Sequence, residues 1–195
     1  MLDVTLEARI PRQATKNISN ALAEVKLIRT LGPQGTNCEK AAHFWFRNRR
    51  IDGEVALHAT LEDAVEHLKK EKNSALLACA VYPDLHTLVF SNLNWLALAD
   101  SFIIPTYNML LASRGTGQPK TVATHPAPQG LVPKDADTIL VTSNAQAARD
   151  CAQGLVEGCI TTQPAAEQYG LQILRDFGPV PMDFTVHLPL EGRAA

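Results

Sequence analysis

The sequence lacks the features that would indicate a membrane span, a nucleic-acid partner or a zinc site. In its 195 residues no apolar run approaches the roughly 20 residues that a transmembrane helix needs, and the first residues contain no secretory apolar region. The net charge of -2 gives no reason to expect a nucleic acid or an anionic membrane as a partner. The four cysteines include no C-x-x-C pair. We therefore expect a cytoplasmic protein without a bound metal ion.

Strand and helix patterns alternate from Lys26 to the end of the chain, and 46% of the residues are hydrophobic. Residues 1–25 look like an N-terminal extension with one short helix, and residues 26–195 form the main domain. Such alternation predicts parallel sheets with helices on both faces. The chain crosses between two blocks near Pro105 and again near Gly178. We therefore expect an α/β protein with a ligand cleft between two lobes, one of residues 26–104 plus 179–195 and one of residues 105–178.

The stretch GPQGTNCE, which ends at Glu39, predicts a helix N-terminus directly after a strand. Thr36 and Glu39 have the spacing of a capping box, and Gly35 lets the backbone turn its N–H groups toward a ligand. Such termini bind carboxylate or phosphate, which makes Thr36, Asn37 and Cys38 candidate ligand contacts. The position also predicts a lowered pKa for the Cys38 thiol. On spacing alone, an ordinary strand-to-helix turn with a good cap is the more frequent explanation of the stretch.

Three further signals follow strands in the second block, and each alone is more often structural than functional. Ser143 precedes a second helix that begins with Asn144 and Ala145. Thr161 lies just before a third helix start, and His125 follows a strand and precedes a proline. Together they predict helix N-termini around one cleft, which suits a small ligand with two or more carboxylates.

The order of four blocks, LGPQGTNCEKAA, ATHPAP, SNAQAARDC and AAEQYGLQIL, resembles the prephenate dehydratase domain from about Lys26 to about Val186. The resemblance implies a two-lobed fold like that of type 2 periplasmic binding proteins. It implies prephenate, a cyclic dicarboxylate, as the ligand in the cleft. It further implies a homodimer that needs no cofactor.

The sequence differs from that family at the positions of the family's catalytic motif. Dehydratases have a Thr-Arg-Phe motif whose Thr gives a proton to the leaving hydroxyl, and this sequence has Met182, Asp183 and Phe184 there. The family's Pro-Ile-Glu-Asn block reads CAVY, ending at Tyr82, and Asn108 replaces a usual His. Because methionine cannot donate a proton, expulsion of the hydroxyl loses its acid.

The resemblance is therefore strongest to the non-aromatising prephenate decarboxylases of secondary metabolism, of the bacilysin-pathway type. It implies a carboxy-lyase that removes CO2 from prephenate and keeps the hydroxyl, in antibiotic or other secondary-metabolite biosynthesis. One alternative is a dehydratase that uses another group as its catalytic acid, or a relative that acts on another cyclic carboxylate. A second alternative is a non-catalytic module that binds a metabolite.

The sequence leaves the proton donor open. Tyr107, Cys38, His125 and bound water are candidates to protonate the ring. Asp183 would bring a negative charge toward a dianion. It either points away, pairs with a cation such as Arg175, or has a raised pKa and donates the proton.

Overall fold

The computed structural model describes residues 12–190, which form two five-stranded sheets. The ten strands follow one another along the chain as β1 (Leu27–Leu31), β2 (Glu54–His58), β3 (Ser74–Cys79), β4 (Leu96–Pro105), β5 (Met109–Ser113), β6 (Thr121–Thr124), β7 (Asp137–Leu140), β8 (Gly158–Thr162), β9 (Gln172–Asp176) and β10 (Pro181–Pro189). The first sheet has the order β2-β1-β3-β10-β4, and the second has the order β7-β6-β8-β5-β9. Each sheet is the centre of one lobe.

Helices cover the sheets, and a 3-10 turn at Gln129–Leu131 follows β6. The helices are α1 (Arg12–Glu24), α2 (Asn37–Arg49), α3 (Leu61–Leu68), α4 (Leu85–Ser91), α5 (Asn144–Ala152) and α6 (Gln163–Gln168). The short helix expected in the N-terminal extension is α1, while residues 1–11 lie outside the described part of the chain. Within the described residues, no helix combines the length and the apolar character that a bilayer crossing needs.

The expectation of parallel sheets is wrong for one strand of each sheet, β10 in the first and β5 in the second. β1, β2 and β3 are parallel, but β10 is antiparallel to both β3 and β4. In the second sheet β5 is antiparallel to both β8 and β9. The crossings explain the difference. The chain leaves the first lobe along β4 and returns along β10 beside it, so these neighbours must run in opposite directions.

The core of the first lobe lies on both faces of its sheet. Trp45 and Phe46 of α2 pack with Phe184 on one face, and Leu61 of α3 packs with Leu88 of α4 on the other. The central strand β3 is almost wholly buried, as its apolar run predicts. Burial of each large apolar side chain of this kind contributes about 1.5–3 kcal/mol, so both helical layers stabilise the lobe.

Two short segments connect the lobes, and hydrogen bonds join these segments to each other. The amide N of Thr106 donates to the carbonyl of Val180 at 2.9 Å, and the amide N of Val180 donates to Thr106 Oγ1 at 2.9 Å. Met109 N donates to the carbonyl of Gly178 at 2.9 Å. Gly178 has a φ of +76°, a conformation that glycine adopts without strain. The two crossings therefore form one narrow, paired neck.

Candidate active site

A cavity of about 320 Å³ opens between the lobes, beside this neck. Both lobes contribute to its wall, and so do the two crossings. The cavity brings together nine of the residues that the sequence predicts for the site, namely Thr36, Asn37, Cys38, Tyr82, His125, Ser143, Asn144, Ala145 and Met182.

The N-terminus of α2 forms one side of the cavity. Thr36 Oγ1 accepts a hydrogen bond from Glu39 N at 3.3 Å and donates to the carbonyl of Leu31 at 3.1 Å. Glu39 Oε2 accepts from Gly35 N at 2.6 Å, one residue earlier than the capping box predicts. The amides of Asn37 and Cys38 have no partner within the helix, because the first N–H groups of a helix have no carbonyl before them. These two amides are therefore available to an anion.

The N-terminus of α5 faces the same cavity from the other lobe. Ser143 Oγ accepts a hydrogen bond from Gln146 N at 3.0 Å, which leaves the amides of Asn144 and Ala145 without a helical partner. The buried Thr161 lies behind this turn, where its Oγ1 donates to the carbonyl of Asn144 at 2.7 Å. Thr161 thus supports the helix start and does not line the cavity. Both helix N-termini therefore present free backbone amides that can bind an anion.

The side chains that line the cavity are neutral. Among the described residues of its wall there is no carboxylate, ammonium or guanidinium group. Leu31, Met109 and Met182 give the wall an apolar surface. A doubly charged ligand would therefore be held by backbone amides and hydroxyl groups in an apolar setting, where such dipoles act more strongly than in water.

Strand alternation separates the three residues that replace the family's Thr-Arg-Phe motif. Met182 lies on the cavity wall, while Phe184 is fully buried in the core and stacks on Phe102. Asp183 lies on the opposite face of β10, where its Oδ1 accepts a hydrogen bond from Ser101 Oγ at 2.7 Å. Of the three possibilities for Asp183, the structure has the one in which the side chain points away from the cavity.

The thiol of Cys38 differs from the prediction. Burial raises its pKa to about 12, although the residue lies in the first turn of α2. The expected lowering by the helix N-terminus is therefore wrong, because the loss of water around a thiolate outweighs the partial charge of the helix end. Burial also raises the pKa of Cys79, which lines the cavity as well. Both thiols are neutral at pH 7.

His125 and Tyr82 complete the polar wall. Ala127 N donates to His125 Nδ1 at 3.2 Å, so the neutral ring carries its hydrogen on Nε2. Burial lowers the pKa of His125. The hydroxyl of Tyr82 donates to Glu62 Oε2 at 2.8 Å, and burial together with this carboxylate raises the pKa of Tyr82 to about 12. The neutral His125 can therefore donate a hydrogen bond to a ligand from Nε2, whereas the Tyr82 hydroxyl already donates its hydrogen to Glu62.

Three other predicted residues lie near the cavity without lining it. Gly35 has a φ of +85° and forms the turn before α2. Tyr107 N donates to Asn37 Oδ1 at 2.9 Å. Asn108 Nδ2 donates to Asp176 Oδ2 at 2.9 Å, within the neck.

Sequence reasoning missed most of the apolar and hydroxyl-bearing wall. The missed residues lie mainly at strand ends, in the crossings and on the 3-10 turn, and include Leu31, Leu61, Cys79, Val81, Thr106, Met109, Leu131 and Val180. The rule that ligands bind beyond the carboxyl ends of strands could have found Leu31 and Cys79, which end β1 and β3.

Outside the cavity, His58, Asp63 and His67 lie close enough together to suggest a metal site. Arg29 Nη1 lies 2.9 Å from His58 Nε2, so this nitrogen accepts and His58 Nδ1 donates to Asp63 Oδ2 at 2.8 Å. A metal would need the Nδ1 lone pair and would lie close to the guanidinium group. The arrangement is therefore better described as a hydrogen-bonded network.

Comparisons with known proteins agree with this architecture. No protein-family model matches the chain. The chain is 28% identical to the prephenate decarboxylase of Bacillus subtilis (strain 168) over 193 residues, which cover 88% of this chain and 91% of that protein. The structure resembles the prephenate dehydratase of Arthrobacter aurescens, solved with L-Phe, with a TM-score of 0.65 and 19% identity. That match covers 85% of this chain and 61% of the dehydratase chain.

The chain has a prephenate dehydratase-like fold. The resemblance inferred from the sequence, including its decarboxylase type, is thereby confirmed. The structure also resembles the periplasmic VFT2 domain of BvgS from Bordetella pertussis, with a TM-score of 0.55, 13% identity and coverage of 89% of this chain and 85% of that one. The expected two-lobed α/β fold of the periplasmic-binding-protein type is confirmed as well.

Proposed function

We propose that the protein is a carboxy-lyase that removes CO2 from prephenate without aromatising the ring. The likeness to a relative named prephenate decarboxylase supports the reaction class. The observation that carries the proposal is the position of Met182 on the cavity wall, where the related dehydratases have an acid. A thioether has no proton to give, so the wall offers no assistance to a departing hydroxide at that point.

The two helix N-termini would bind the two carboxylates of the substrate. The amides of Asn37 and Cys38 would hold one, and those of Asn144 and Ala145, with the hydroxyl of Ser143, would hold the other. An anion at a partly buried helix N-terminus gains up to about 2 kcal/mol from the helix dipole. Both ends lie in blocks that resemble the dehydratase domain, and they would fix the ring between the lobes without the arginine of the dehydratase motif.

The reaction needs one bond to break and one proton to be added. The bond between the ring and its carboxylate breaks, CO2 leaves, and the electron pair moves through the ring diene to a ring carbon. That carbon takes a proton, and the carbinol hydroxyl stays in place. The helix end that holds the ring carboxylate positions it but favours the anion, so the driving force for its loss comes from the apolar wall of Leu31, Met109 and Met182, where neutral CO2 needs less solvation than the anion.

We propose the thiol of Cys38 as the proton donor. It lines the cavity at the start of α2, and its pKa of about 12 keeps it protonated at physiological pH. The neutral His125, whose Nε2 carries hydrogen, would orient the substrate by a hydrogen bond. Asp183 and Tyr107 donate no proton in this scheme, since neither lines the cavity.

On the basis of the sequence resemblance, we further propose a biological setting for the protein. The protein would act as a homodimer, in the cytoplasm, in antibiotic or other secondary-metabolite biosynthesis.

Proton NMR of buffered prephenate with the purified protein tests the reaction. A control without protein accounts for spontaneous aromatisation. The proposal expects a retained carbinol proton and new ring CH2 signals as the ring carboxylate is lost. Phenylpyruvate above the control would instead establish a dehydratase with another acid, and an unchanged spectrum would favour another ligand or a binding module.

A further inference from the structure

Lys40 lies in the first turns of α2, but its side chain reaches the first crossing between the lobes. Its Nζ donates to the carbonyl of Pro105 at 2.8 Å and to the carbonyl of Thr106 at 2.9 Å. The same ammonium lies 4.6 Å from the centre of the Tyr107 ring. One lysine therefore contacts three consecutive residues of the crossing.

A second contact joins the same two elements. Asn37 Oδ1 accepts a hydrogen bond from Tyr107 N at 2.9 Å. Asn37 is the first residue of α2, and Lys40 lies three residues further on. The beginning of the helix is thus held to the crossing at two points, one at each end of the first helical turn.

The second crossing is connected to this clamp through Thr106. Its backbone N donates to the carbonyl of Val180, and its Oγ1 accepts from Val180 N, both at 2.9 Å. Thr106, Val180 and Asn37 all line the cavity. Through these hydrogen bonds, Lys40 is connected to both crossings of the neck and to the N-terminus of α2.

We propose that Lys40 is a positioning residue that fixes the N-terminus of α2 against the neck, and thereby sets the distance between the helix ends of the two lobes. The role rests on the proposed function, in which those ends hold the two carboxylates of one substrate. Charged donors form stronger hydrogen bonds to carbonyls than neutral donors do, which suits Lys40 to this task. Lys40 does not itself line the cavity.

Amide hydrogen exchange without substrate tests the clamp independently of any reaction. The variant Lys40→Met keeps the aliphatic stem and removes the ammonium. We expect exchange of the Tyr107 and Val180 amides to become about tenfold faster, since a charge-assisted hydrogen bond is lost. Lys69→Met is the matched control, because Lys69 also donates one side-chain bond, to Glu66, and lies over an aromatic ring, that of Trp95.

Steady-state kinetics with prephenate tests the consequence for the site. We expect Lys40→Met to raise KM about tenfold with little change in kcat, and Lys40→Arg, which keeps charge and donors, to restore KM. Lys40→Gln provides a second uncharged variant if Lys40→Met does not fold. A role limited to long-range attraction of the dianion would instead give a KM defect that disappears at high salt.

The outcomes separate the two proposals. Exchange at the wild-type rate in both uncharged variants would overturn the clamp, and faster exchange with an unchanged KM would overturn its role in positioning. A wild-type protein that leaves prephenate unchanged would refute the proposed function. In that case the exchange rates would still decide whether Lys40 holds the neck.

Discussion

Thr36 and Ser143 line one cavity from opposite lobes, and the hydroxyl oxygen of each accepts a hydrogen bond from the amide three residues further along its helix. Each cap fixes a helix start and leaves two amides free. Each lobe therefore contributes one capped helix N-terminus with free amides to the site, although the strands and helices that build the two lobes come from different parts of the chain.

Removal of either cap should weaken substrate binding. We expect Thr36→Val and Ser143→Ala each to raise KM by about three- to tenfold, because loss of a cap costs about 1 kcal/mol and loosens the amides that hold the carboxylate. Thr60→Val is the matched control, since Thr60 caps α3 by accepting from Asp63 N at 3.1 Å but does not line the cavity. Unchanged kinetics in both cap variants would exclude these helix ends as the binding site.

Restoring the threonine at the family's acid position should not restore dehydration. In Met182→Thr the hydroxyl would lie on the cavity wall, but Asp183 still replaces the arginine and still points toward Ser101. We expect phenylpyruvate to form at the rate of the control without enzyme, as followed by its absorbance in base. A clear gain of phenylpyruvate from this single change would show that the threonine alone decides the outcome.

The proposed proton donor can be tested by removing the thiol. We expect Cys38→Ala to lower kcat by about 10²-fold or more, the usual contribution of a positioned acid. Because the pKa of Cys38 is raised to about 12, kcat of the wild type should be flat from pH 7 to pH 9.

Cys79→Ala is the control, since Cys79 is a second neutral thiol on the same wall. If Cys38→Ala retained full kcat, bound water would become the better candidate. An equal loss of kcat in the two variants would indicate a packing effect of either thiol.

Acid should destabilise the protein through His187. Burial lowers the pKa of this histidine from 6.5 to about 4, and its Nδ1 has no partner among the described residues. As the pH falls below 6.5 the unfolded chain binds the proton first, so the free energy of unfolding declines until about pH 4. The loss amounts to about 3 kcal/mol.

Urea unfolding of the wild type and of His187→Gln between pH 7 and pH 4 measures this contribution. The carboxylates titrate in both proteins, so the difference between their pH profiles isolates the histidine. We expect the decline to be shallower in the variant. Parallel profiles would mean that His187 does not couple folding to protons.

Local signals in the sequence predicted the parts of the site that depend on local chemistry. The starts of α2 and α5 follow from Thr36 and Ser143, because a cap bonds an amide only three residues away. Asp183 could have been placed as well, since alternation along a strand puts it opposite Met182 and Phe184. The four-block order predicted the fold type.

The remaining features depend on distant parts of the chain. The raised pKa of Cys38 comes from burial in the core between α2 and the first sheet, which no local motif encodes. The helix α4 was not predicted, because Asp84 at its start forms no side-chain cap bond and the helix has only seven residues. The apolar cavity wall comes from separate strands and crossings, so its members are not neighbours in sequence.

The position of β10 between β3 and β4 also constrains how the protein folds. Thr185 Oγ1 donates to the carbonyl of Ala78, 107 positions earlier in the chain. The first lobe therefore cannot complete its sheet until the whole second lobe has been synthesised, whereas the second lobe uses only the strands from β5 to β9. Such long-range pairing slows folding. On the ribosome we expect the second lobe to fold first. The first lobe would complete its sheet only after β10, the last strand of the chain, has been synthesised.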